Sequence, residues 1–141
     1  MKTSKLLAIA FAAVASITLS TPALLAHEGH DHGAKNKVAV PDTADGILLE
    51  INKQHALISA AVSGKNLKGV HDPIEALALL AKALPDKSAE DQKVRVQGSA
   101  NNLAKAADSL HHAADAGDQA KAEAELKKLD GVLLVLNQQI K

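Results

Sequence analysis

Seven histidines carry the only unusual side-chain chemistry in this 141-residue chain. One group is contiguous: His27-Glu28-Gly29-His30-Asp31-His32. Imidazole nitrogens and carboxylate oxygens at this density suit Zn2+, Ni2+ or Cu2+, and Gly29 lets the backbone fold around an ion. If the mature chain starts at His27, its α-amine adds an amine–imidazole chelate suited to Cu2+. The spacing is not the zinc-protease pattern, because a single residue separates Glu28 from His30. The remaining histidines, His55, His71, His111 and His112, are dispersed and can cooperate only if a fold gathers them. The plainer reading of both groups is a solvated tail and boundary histidines hydrogen-bonded to neighbours.

What is missing narrows the chemistry further. The chain has no cysteine, which excludes disulfides, thiolate metal sites and covalent haem attachment. Its one methionine is Met1, so neither a thioether copper(I) site nor a Met-ligated haem is expected. Phe11 is the sole aromatic ring besides the imidazoles, which leaves nothing to stack on a base, sugar or flavin. No Ser/His/Asp arrangement, phosphate loop or paired carboxylates stand out, so no enzyme is expected. Sixteen basic residues balance sixteen acidic ones. That balance gives no basic patch for nucleic acid, which requires clustered positive charge.

The elements that must position these residues begin after a leader. Lys2 and Lys5 precede a largely apolar run from Leu6 to Leu19, then Ser20-Thr21-Pro22 and the small residues Ala23 and Ala26. This order predicts a signal peptide over residues 1–26, cleaved after Ala26 or after Ala23. The run is too short to span a bilayer, so no membrane insertion is expected after cleavage, and the expected location is the periplasm. Cleavage removes Lys2 and Lys5 but no acid, leaving a net charge of about −2 with neutral histidines. Residues 27–41 read as a flexible, disordered His-rich tail ending at Pro41.

Residues 42–141 predict an all-α domain. The Asp42–Asp45 cluster supplies capping oxygens and negative charge for a first helix from about Thr43 to Val62. Its seam is Ala44, Leu48, Ile51, His55, Ile58 and Val62, and Ser63-Gly64 stops it. A second helix carries Val70, Ile74, Leu77, Ala81 and Leu84 and halts at Pro85. It starts either near Asn66, nearly continuous, or at Asp72-Pro73. A third begins near Ser88 with Asp91 completing an approximate capping box, follows Val96, Ala100, Leu103, Ala107, Leu110 and Ala114, and closes at Gly117. The fourth starts at Asp118 and follows Ala122, Leu126, Leu129, Leu133, Leu136 and Ile140 to the end. Short turns between four amphipathic segments predict an up-down-up-down antiparallel four-helix bundle.

That topology puts the Gly64 and Gly117 turns at one end. His71 and His111 then lie roughly 9–10 Å below it, and His55 about one turn deeper, at the usual helical rise. A shared pocket of His55, His71 and His111, with Asp108 or Asp115 nearby, follows as a second candidate metal site. His112 points about 100° away from His111.

The chain resembles a group of small periplasmic four-helix proteins associated with heavy-metal efflux and resistance systems. The resembling stretches are Ala26–His32, Asp42-Thr43-Ala44-Asp45-Gly46-Ile47, Leu67-Lys68-Gly69-Val70-His71 and Ala83–Ser88. Ala114-Asp115-Ala116-Gly117-Asp118-Gln119-Ala120 and Lys128-Leu129-Asp130 complete the set. The resemblance implies metal handling, with His55 and His71 at positions where such proteins place histidine. The fold also resembles cytochrome-like bundles, but their haem ligands and attachment cysteines are missing, so no haem is expected. The expected ligands are His27, Glu28, His30, Asp31, His32, His55, His71 and His111, holding a divalent transition metal. The expected role is a buffer or metallochaperone, with a metal-efflux transporter or adaptor as partner. The competing expectation is a non-catalytic helical interaction module docking to such an envelope partner.

Overall fold

The computed structural model describes residues 38–140. The expected leader, its cleavage site and the whole His27–His32 group lie outside the described residues. Among those described are four α-helices and no strand. They are α1 (Ala44–Ser63), α2 (His71–Lys87), α3 (Lys93–Asp115) and α4 (Gln119–Gln139), with a 3-10 turn (Leu67–Val70) leading into α2.

Each helix packs on the next, and α4 returns to α1, so the four form a ring. Pairings across the closing seam run in opposite directions along the two helices: Asn52 meets Asn137, His55 meets Asp130, and the Val62 carbonyl meets Gln119. The arrangement is a four-helix bundle, as the apolar spacing predicts. Nearly every seam residue named from the sequence is buried, including Ile51, Ile58, Leu77, Leu84, Val96, Leu103, Leu110, Leu129 and Leu136. With no aromatic ring among them, Leu, Ile, Val and Ala fill the interior, and Ala100, Ala107, Ala113 and Ala114 lie on the buried face of α3. Val38, just before α1, packs against this core. No described helix is long and apolar enough to cross a membrane.

The helix ends differ from expectation in informative ways. The α1 cap is Thr43, whose hydroxyl accepts the Gly46 N–H at 3.1 Å, with Asp45 adding charge in the first turn. At the other end Gly64 has an ordinary φ of −78°, and the left-handed residue is Lys65 at φ 57°. Lys65 N–H donates to Val62 O and Asn66 N–H to Ala61 O, so the last carbonyls of α1 are satisfied. The same pair of bonds closes α3, there with Gly117 at φ 67°.

The start of α2 lies between the two alternatives. The 3-10 turn runs directly into His71, which leaves Pro73 in the first helical turn, where its missing N–H costs no internal bond. Nor does α2 halt at Pro85, which is buried inside the helix, two residues before its end. Proline loses its own N–H bond and crowds the carbonyl one turn back, but so near the helix end only Asp86 and Lys87 follow it. Helix α3 does not begin at Ser88. The Ser88 hydroxyl donates to the Leu84 carbonyl at 2.9 Å, terminating α2 instead of capping α3. A turn closed by Gln92 N–H to Ala89 O follows, and α3 starts at Lys93.

Candidate metal centre

His71 and His111 each stand one residue past a buried seam position, Val70 and Leu110. A step of one residue turns a helix by about 100°. That turn takes each ring out of the core and into the groove between α2 and α3. His71 opens α2 and His111 lies in the last turns of α3, so antiparallel packing sets them side by side. His71 Nδ1 and His111 Nε2 are 2.9 Å apart, a hydrogen bond between residues forty positions apart. The rings meet nearly at right angles with centroids 4.8 Å apart.

Asp115, one turn beyond His111, faces both rings. Its Oδ2 is 3.5 Å from His111 Nδ1 and its Oδ1 is 3.7 Å from His71 Nε2. Among the described residues these three form a group able to hold a metal ion. The rings are mostly covered, with 25% and 22% of their side-chain surface exposed, whereas Asp115 is half exposed. A groove of about 260 Å3 runs on from the His111 ring, walled by Ile74, Ala78 and Ala104 and flanked by Glu75 and Asp108.

Asp115 is the last residue of α3, where the aligned peptide dipoles give the helix end a partial negative charge, so the α3 side of the groove attracts a cation.

His55 does not join them. It faces α4, with Nε2 2.6 Å from Asp130 Oδ1. In a ring of four helices the α1–α4 seam and the α2–α3 groove are on opposite sides, so matching height along the axis is not enough. Asp108 is also engaged elsewhere: it lies 3.5 Å from His112 Nε2 on the exposed side of α3. Of the residues considered from the sequence, His71, His111 and Asp115 converge, and His55, His112 and Asp108 form separate pairs. Asp130 escaped sequence reasoning. Its signal was its height, since antiparallel pairing of α1 with α4 places it level with His55.

The chain matches no protein-family model, no curated protein and no solved structure.

Proposed function

We propose that this protein binds a divalent transition metal in the α2–α3 groove, with the imidazoles of His71 and His111 as ligands and Asp115 as the adjoining carboxylate. The observation that carries this reading is the 2.9 Å approach of two imidazole nitrogens from different helices beside one carboxylate. Such a set, without thiolate or thioether, suits Zn2+, Cu2+ or Ni2+. In this reading the ion is cargo and not a catalyst. The protein acts as a buffer or metallochaperone in the periplasm, and the His27–His32 group adds a second place for an ion. The order of charge, apolar run and small residues over 1–26 supports the location. The resemblance to efflux-associated bundles supports a link with metal resistance and a transporter or adaptor as partner.

The test is a calorimetric titration of Zn2+, Cu2+ and Ni2+ into a chain whose His27, His30 and His32 are replaced by alanine. One ion per protein is expected, and His71→Ala with His111→Ala should remove it. Binding no tighter than millimolar, or binding that survives the double substitution, would end this reading. Because ligand nitrogens must be deprotonated, affinity should fall as the solution is acidified.

A further inference from the structure

Resting on that site, the order of residues along α3 goes further. We propose that Asp108 and His112 form an outer metal-binding pair through which the ion enters and leaves the groove, Asp108 exchanging His112 for His111 as the ion moves inward.

In Asp108-Ser109-Leu110-His111-His112-Ala113-Ala114-Asp115 two adjacent histidines lie between two carboxylates. On a helix, residues three and four apart are neighbours, so each carboxylate is within reach of both rings. The fold sorts them into pairs. Asp115 lies 3.5 Å from His111, on the side that faces His71, and Asp108 Oδ2 lies 3.5 Å from His112 Nε2. The pairs differ in how much water they meet. His111 keeps 22% of its side-chain surface exposed, whereas His112 keeps 57% and Asp108 71%. Yet the His111 and His112 ring centres are only 6.2 Å apart. Asp108 belongs to both surroundings. It approaches His112, and it also lines the groove that runs on from the His111 ring.

Metal chemistry gives that arrangement a use. A divalent ion arrives in a shell of water, and the mostly covered inner rings must replace part of that shell. A carboxylate and an imidazole one turn apart replace two waters in the open, with no contact inside the groove to break. Two ligands facing water hold an ion too weakly to add a second equivalent in a titration, so the pair shows in rates and not in stoichiometry. From there the ion moves on without being released. Asp108 precedes His111 by three residues and His112 by four, so its carboxylate stays on the ion while the His111 nitrogen takes the place of the His112 nitrogen. His71 then joins from α2. Each step exchanges one neutral ligand for another, and the carboxylate offsets the charge of the ion until Asp115 is beside it. Release is the same path in reverse. A path shared by entry and exit changes both rates by one factor and leaves their ratio, Kd, where it was. Loss of a ligand of the bound state instead raises Kd, mainly by faster release.

The experiment is stopped-flow absorbance of Cu2+ uptake by the full chain with His27, His30 and His32 replaced by alanine. Release is followed into chelator at concentrations that no longer affect the rate, and Kd is measured by calorimetry. His112→Ala removes no carboxylate, so the field that draws a cation is kept. It should slow uptake and release alike, each several-fold, with Kd unchanged. Asp108→Asn should slow uptake too, and Asp108→Glu, which keeps a carboxylate, should restore most of it. His112→Ala together with Asp108→Asn should be little slower than Asp108→Asn alone, because either change closes the same path. Both positions are exposed, so these variants are expected to fold. Unchanged rates in His112→Ala, a changed Kd in that variant, or slowing by the two replacements that simply multiplies would each overturn the inference while leaving the inner site standing. A parent chain that takes up no Cu2+ would remove the site, and the inference with it.

Discussion

Lys65 holds a left-handed backbone at φ 57°, a region costly for a residue with a Cβ, directly after Gly64, which has no such need. Exchange of Lys65 for glycine should therefore stabilise the protein by roughly 0.5–1 kcal/mol, measured by urea unfolding. Gly117→Ala, at φ 67°, should destabilise it by a similar amount. Asp115 offers a different prediction. Its carboxylate lies at the negative end of α3, so Asp115→Asn should raise the stability of the metal-free protein by about 0.3–1 kcal/mol. The same exchange should weaken metal binding, and a variant more stable yet poorer at binding would mark Asp115 as placed for an ion. Sequence reasoning found His71 and His111 through their distance from two turns, because helical rise per residue is nearly constant. It did not separate them from His55, since that depends on which way each ring faces. The two that converge are those that flank their apolar seams. His55 occupies its seam and is drawn to the α1–α4 boundary.

Among the elements, the seam between α1 and α4 is built unlike the rest. Asn52 and Asn137 exchange amide bonds at 3.1 and 3.2 Å, and each amide nitrogen also donates to a carbonyl one turn back on its own helix, Leu48 O and Leu133 O. Each NH2 group thus uses both of its hydrogens, and the pair fixes the register of two helices that are far apart in sequence. Replacing either asparagine with leucine should cost about 1 kcal/mol, because its partner loses an amide. The double replacement should cost less than the two single ones together, a coupling that a double-mutant cycle measures. The four helices and most of their buried faces were legible from apolar spacing, while their ends were not. Ser88 near Asp91 resembles a capping box, but the Ser88 hydroxyl turns back to the Leu84 carbonyl of α2, and α3 starts five residues later at Lys93. The Asn52–Asn137 clasp was invisible because it requires knowing which residues of α1 and α4 lie level.

At the scale of the whole molecule, an aliphatic core without aromatic rings holds four helices whose ends meet near the His71–His111 pair. The two imidazoles join α2 to α3, and Gln119 joins α4 to the Val62 carbonyl at the end of α1. An ion bound between His71 and His111 links helices that the unfolded chain separates by forty positions. At a free Zn2+ concentration about 100 times Kd, binding should stabilise the fold by about 2.7 kcal/mol. That corresponds to a rise in Tm on the order of 10 °C for a domain of this size. Scanning fluorimetry or calorimetry should show the rise in a chain lacking His27, His30 and His32, and its absence when His71 and His111 are also alanine. The most direct measurement is an anomalous difference map from crystals of that tail-substituted chain grown with Zn2+. The account predicts a peak about 2.0–2.1 Å from one ring nitrogen of His71 and one of His111. A map with no peak in the α2–α3 groove, the two rings still hydrogen-bonded to each other, would contradict it.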